Sequence, residues 1–417
     1  MDSFGFNIME HVIACQHIRG YRNATKDATT QLRLAVKQYT PKEVPSPRAI
    51  TIIATHANGV PKEAYEPLWE ELRLRLGSKL RDIWIADCAH QGASGVLNEN
   101  LLGDDPNWFD HSRDLLGMVN HFRDSIQPPI VGLGHSMGCA QLVQLSTIHP
   151  RLFQGLVFVE PVMLKDFPPG PNAALFTSYR PDLWSSLDEA QEYFRQNKFY
   201  KTWDRRVVDI YLRYGLRPVP TALYMQEKPG SVTLTTPKHQ EAWSYVRSNF
   251  GEHSGNVEGQ YAERLTSGDL DSAQSSFLFH RAEPGLALEA LPFIQPSVLW
   301  IFAEESYINR REDMEFKLST TGSQNRASGG AKAGSVRMEI VRKAGHLLPL
   351  EKVAETANAI VPYVKDQIQE FLHDEDFWAY YDAGRSEPGR LALSQRWMEE
   401  VRKKANEKRP NLKMTKL

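Results

Sequence analysis

The chain has 417 residues, 41% hydrophobic and 24% charged, a mix able to bury a sizeable core as one large domain with an inserted lobe. Its 49 Lys and Arg nearly balance 51 Asp and Glu, which argues against a dedicated nucleic-acid binder or a polybasic membrane protein, so any basic surface must be local. Cys15, Cys88 and Cys139 lie far apart without ligand spacing, which points to neither a disulfide framework nor a zinc site and fits a reducing compartment.

The N-terminal MDSFGFNIMEHVIAC has no basic region followed by a long apolar run, and no stretch approaches the roughly 18 apolar residues of a spanning helix. NIMEHVIACQHI and TQLRLAVKQYTP read as half-buried strands, and AITIIATHANG as an apolar strand running into a glycine-bearing loop. PKEAYEPLWEELRLRLG has helical periodicity with a stop at Gly77, RDIWIADCAH is a strand, and WFDHSRDLLGMVNHFRD is an amphipathic helix. PPIVGLGHS is a strand, MGCAQLVQLSTIHP a helix ended by Pro150, and LFQGLVFVEP a strand ended by Pro161. This alternation predicts an α/β fold whose mostly parallel sheet is covered by helices on both faces.

From 162 to 291 the rhythm breaks into proline-rich loops and short helical pieces, which reads as a cap lobe inserted between a first core part, 1–161, and a second, 292–381. The sheet resumes with PSVLWIFAEES and VRMEIVRKAGHLLPL, and the long amphipathic helix EKVAETANAIVPYVKDQIQEFLHD follows. Between those strands STTGSQNRASGGAKAGS has the Gly/Ser content of a surface loop. A basic helix and tail, 382–417, closes the chain, and the aromatic run DFWAYYDAG before it is either a contact for a second copy or docked on its own domain.

Gly134-His135-Ser136-Met137-Gly138 fits G-x-S-x-G and lies between an apolar strand and a helix, the context of a nucleophile elbow. So sharp a strand-to-helix turn leaves no room for a Cβ at Gly134 or Gly138, and it displays Ser136 Oγ at the sheet's edge. A serine hydroxyl attacks only when a base takes its proton, and His346, after the strand VRMEIVRKAG, is placed to do so. His90, His111, His121 and His149 fall on helix or loop surfaces, His239 and His280 in the cap, and His11 and His17 on an early strand. An acid must orient the imidazole: Glu160 follows GLVFV, and Glu304 and Glu305 follow VLWIFA, so spacing leaves the two places nearly even. An oxyanion hole takes the Met137 amide plus a second from the loop His56-Ala57-Asn58-Gly59, either Ala57 or Asn58, with His56 bracing the loop.

These motifs resemble the α/β-hydrolase fold, and the likeness is closer than the fold. LAVKQYTP, ATHANGVPKEAYEPLWEEL, DHSRDLLGMVNHFRD, GLGHSMG, HPRLF, VTLTTPKH and AGHLLP are similar to the fungal peroxisomal acyl-CoA hydrolases of mycophenolic acid biosynthesis and to related toxin-biosynthesis hydrolases. The similarity is sparse in the cap. The resemblance implies Ser136 as nucleophile, His346 as base and Glu160 as acid, although that family carries aspartate at the acid position and Gly-Val where this chain has Ala57-Asn58. It implies hydrolysis of a bulky polyketide-like or fatty acyl-CoA, without cofactor or metal. Acyl transfer, ring closure, or carboxylesterase or lipase chemistry would use the same triad.

WDRRVVDIYLRYGLRP sets Arg205, Arg206, Arg213 and Arg217 in the cap, either as guanidiniums for the phosphates of CoA or as the solvated face of a helix. The chain ends Thr415-Lys416-Leu417 after a basic tail, close to the S-K-L address read by the peroxisomal import receptor, and the resemblance implies the same location.

Overall fold

The computed structural model describes residues 5–165, 167–250, 257–271, 273–324 and 328–403. The first six strands are β1 (Phe6–Ala14), β2 (Arg33–Pro41), β3 (Ile50–Thr55), β4 (Leu80–Ala86), β5 (Ile130–His135) and β6 (Gly155–Val159). Three short strands follow, β7 (Leu183–Trp184), β8 (Leu216–Pro218) and β9 (Val232–Leu234), before β10 (Ser297–Ala303) and β11 (Val336–Val341). The main sheet has the order β1-β2-β4-β3-β5-β6-β10-β11. β1 and β2 pair antiparallel, as do β2 and β4, while every later neighbour is parallel.

The continuous apolar runs of β3, β5 and β6 are explained by this order. Every residue of these three central strands is buried, because parallel strands need crossovers and the crossover helices cover both faces. The helices Glu66–Leu76, Trp108–His121 and Met137–Ile148 make the first three crossovers. Cys139, Leu142 and Val143 of the last pack in one core with Leu115, Met118, Phe158 and Trp300. Removing a buried leucine such as Leu142 would cost about 2–5 kcal/mol by the usual behaviour of close-packed cores.

Between β6 and β10 the chain is mostly short helices, but β7, β9 and β8 form a small antiparallel sheet that periodicity did not announce. Strands of two or three residues are too short to carry an alternation. The helix Gly92–Asn98 was also unforeseen, since its Gly/Ser-rich sequence is a poor helix former. It starts where Asp87 Oδ2 accepts the Ala93 amide at 2.9 Å, satisfying a first-turn donor from outside the segment.

The chain divides into two compact units, Met1–Ile368 and Gln369–Leu417, so the inserted segment belongs to the same unit as the sheet. The long helix runs Val353–Asp382 and takes in most of the aromatic run, where Phe377, Trp378, Tyr380 and Tyr381 are all exposed. No helix among the described residues is long and apolar enough to cross a membrane. The parallel pairing aligns the carboxyl ends of β3, β5, β6, β10 and β11, the edge at which open α/β sheets hold their ligands.

Candidate active site

At the end of β5 the chain turns into the helix Met137–Ile148 with Ser136 at φ 56° and ψ −118°. The Ser136 amide donates to Val159 O at 3.0 Å, fixing the turn to β6. A Cβ on Gly134 would stand 2.9 Å from the Cys139 backbone, and one on Gly138 would stand 2.8 Å from Thr55 O, so both positions must lack a side chain.

Ser136 Oγ lies 2.9 Å from His346 Nε2, and His346 Nδ1 lies 3.1 Å from Glu160 Oε2. Because a carboxylate only accepts, Nδ1 carries the proton and Nε2 presents its lone pair to the serine hydroxyl. His346 arrives from β11 through a turn with Lys343 at φ 53°, after which the Gly345 amide donates to Glu351 Oε2 at 2.7 Å.

Glu160 is fully buried and sits at φ 48°. Its Oε1 accepts the Ala303 amide at 2.7 Å, and its Oε2 accepts Ser306 Oγ at 2.5 Å as well as His346. A buried carboxylate without such donors would be strongly disfavoured. Glu304 and Glu305 are exposed, and Glu304 Oε2 accepts the Lys343 amide at 3.0 Å. Glu304 therefore braces the turn that carries the histidine, and of the two places left even by spacing it is Glu160 that meets His346.

The two amides weighed in the first loop part company. Ala57 N–H donates to Tyr65 Oη at 2.8 Å, so it is occupied. Among the described residues neither Asn58 N–H nor Met137 N–H has an intramolecular acceptor. The Asn58 side chain is held at both ends, donating from Nδ2 to Glu241 O at 2.9 Å and accepting from Gln91 Nε2 at 2.7 Å. His56 donates from Nδ1 to Ala57 O at 2.8 Å and accepts the Cys88 amide at 2.9 Å; burial pushes its pKa down, and it braces the loop as a neutral ring.

Two histidines expected on surfaces are buried instead. His90 Nε2 meets Ser244 Oγ at 2.8 Å, and the His111 ring lies 6.1 Å from that of His56; burial pushes both pKa values down. Their cover comes from the inserted segment and the neighbouring loops, which one sequence window cannot show. Ser306, Gln91 and Glu241 were missed for the same reason, since each acts on a residue far away in sequence.

Two of the four arginines are taken up in ion pairs. Arg206 is tied to Asp204 at 2.8 Å and to Glu71 at 3.0 Å, and Arg217 to Glu99 at 2.7 Å, so these two fasten the inserted segment to the core. Arg205 and Arg213 are exposed, with the Arg213 guanidinium over the Tyr214 ring.

The profile of the Alpha/beta hydrolase family matches residues 52–359, a span that holds Ser136, Glu160 and His346. The chain is an α/β-hydrolase. This α/β-hydrolase is 36% identical over 421 residues to the type I acyl-CoA thioesterase mpaH of Penicillium brevicompactum, with 95% of each chain covered. To mpaH' of the same species, also named a type I acyl-CoA thioesterase, it is 35% identical over 438 residues, covering 98% of this chain and 99% of that one. The crystal structure of the peroxisomal α/β-hydrolase Lpx1 of Saccharomyces cerevisiae superposes with a TM-score of 0.64 at 18% identity, covering 92% of this chain and 99% of that one, which shows the shared fold.

Proposed function

We propose that this α/β-hydrolase is a serine acyl-CoA thioesterase with Ser136 as nucleophile, His346 as general base and acid, and Glu160 as the acid that orients it. The observation that carries the reading is the unbroken run from Ser136 Oγ through His346 to Glu160, beside two unengaged amides. Full-length relatives named as type I acyl-CoA thioesterases support the substrate class.

Ser136 Oγ attacks the thioester carbonyl carbon while its proton passes to His346 Nε2. The oxyanion that forms is received by the Met137 and Asn58 amides. Collapse of the tetrahedral species breaks the C–S bond, and the thiolate leaves with the proton from His346, giving an acyl-serine and free CoA. Water then attacks the acyl-serine with His346 as base, a second collapse frees Ser136, and the carboxylic acid departs. Arg205 and Arg213 are the cap arginines proposed to meet the phosphates of CoA.

Mass spectrometry of products from a panel of bulky and fatty acyl-CoAs tests the reading. Free acid and CoA are expected, with turnover of the thioester faster than that of the matching oxygen ester. A thiol with pKa near 8.5 leaves far more readily than an alkanol, so the thioester asks less of His346 as an acid. A faster oxygen ester would overturn the substrate class, and a lactone or transferred acyl group would replace hydrolysis by ring closure or acyl transfer.

The same reading places the protein in a fungal peroxisome, delivered by the import receptor through Thr415-Lys416-Leu417. That tripeptide lies outside the described residues. A fluorescent protein fused upstream of the full chain is expected in peroxisomal puncta, and deletion of the three residues should disperse it. Puncta that survive the deletion would remove the tail as the address.

A further inference from the structure

The nucleophile, the second oxyanion donor and the base come from three different strand ends, those of β5, β3 and β11. His135, immediately before Ser136, is fully buried and joins all three. Its Nε2 lies 3.1 Å from His346 O. A carbonyl oxygen only accepts, so the proton is on Nε2 and Nδ1 holds a lone pair. Tyr65 Oη is 2.7 Å from Nδ1 and can only be the donor there. The same oxygen accepts Ala57 N–H at 2.8 Å. The run therefore has one direction, from Ala57 N–H to Tyr65 O–H to His135 and on to the carbonyl of His346.

We propose that Tyr65 and His135 are positioning residues that lock the oxyanion loop and the base loop to the nucleophile elbow through this run. The proposal rests on the triad reading above. Occupying Ala57 N–H orients the loop so that the next amide, Asn58, is the one left for an oxyanion. Holding the carbonyl of His346 fixes the backbone that carries the imidazole 2.9 Å from Ser136 Oγ. A misplacement of about 1 Å at such a site is enough to cost about 10²-fold in rate.

The electrostatics fit the same role. Burial, with His346 beside it, pushes the His135 pKa down to about 3, and the two ring centroids are 5.8 Å apart. A charged His135 would carry a proton on Nδ1 facing the Tyr65 hydroxyl and would oppose the imidazolium that forms on His346. Burial likewise pushes the Tyr65 pKa up, so its hydroxyl keeps the proton it donates. Tyr65 is also stacked on Trp69 at 5.8 Å, which keeps its ring in place when the hydroxyl is removed.

Tyr65→Phe, His135→Gln and His135→Phe test the proposal on the full chain, with a fluorophosphonate and an acyl-CoA as probes. Tyr65→Phe is expected to lower kcat and the second-order labelling rate together by roughly 10²-fold, with KM within about threefold and the final labelled fraction unchanged. His135→Gln keeps a donor where Nε2 lay and should recover about tenfold over His135→Phe. Labelling rates within about threefold of the unaltered chain in Tyr65→Phe and His135→Phe would overturn the proposal. So would a loss confined to melting temperature and labelled fraction, since that is what a purely structural role predicts. An unaltered chain that is labelled but turns over no acyl-CoA would refute the thioesterase reading alone, and the labelling rates would still decide the run's role.

Discussion

Ser136→Ala is expected to abolish fluorophosphonate labelling and to lower acyl-CoA turnover by about 10⁶-fold, the scale seen when a triad nucleophile is removed. The hydroxyl has His346 as its side-chain partner, so its loss strips the reaction of its attacking atom without unpairing a second buried group. Alanine keeps the Cβ and the amide that donates to Val159 O, so the elbow should stay folded and the melting temperature should move little. What remains is attack by water in a pocket that still has its two amides, worth a residual 10³–10⁴-fold over solution. Undiminished labelling of Ser136→Ala would place the nucleophile elsewhere and dissolve the mechanism.

Glu160→Gln should cost about 10⁴-fold in kcat, while Glu304→Gln stays within about twofold. Glu160 accepts from three donors, the Ala303 amide, the Ser306 hydroxyl and His346 Nδ1–H. Glutamine offers one oxygen and two N–H bonds in the same space, so its amide nitrogen must face a donor. If it faces His346, the ring is driven to the tautomer with its proton on Nε2, which cannot take a proton from Ser136. Glu304 is exposed and meets the Lys343 amide, so its amide analogue still accepts there. Steady-state rates of the two variants at one pH separate the assignments: normal turnover in Glu160→Gln with collapse in Glu304→Gln would reverse them.

The elbow and the histidine were legible because each carries its own local signal. Glycine on both sides of Ser136 is required by contacts within a few residues or with the adjacent strand, and His346 ends a strand. The choice among Glu160, Glu304 and Glu305 was not legible from spacing, since β6 and β10 are neighbours and both end in carboxylates. What separates them is that the backbone at Glu160 turns its side chain into a shell of donors while Glu304 faces solvent. The resemblance, not the spacing, pointed to Glu160. Tyr65 lies in a segment that reads as plain helix and His135 inside the elbow motif; the Tyr65–Ala57 contact is local, but only the sheet order brings Tyr65 to His135 and His135 to His346. The ion pairs of Arg206 and Arg217 were not legible for a related reason, since Glu71 and Glu99 lie more than a hundred residues from those guanidiniums.

Among the described residues four that are not glycine hold a positive φ, namely Arg48, Ser136, Glu160 and Lys343. Three of the four lie in the proposed triad or beside it, Ser136 and Glu160 themselves and Lys343 three residues before His346. Each such residue opposes folding by about 1–3 kcal/mol, against a net stability of only about 5–15 kcal/mol for a typical domain. Glycine at 136 would relax the elbow at the loss of the hydroxyl proposed as nucleophile, whereas glycine at 160 would also strip the buried Ala303 amide of its acceptor, so under the proposed triad stability and turnover pull in opposite directions at Ser136.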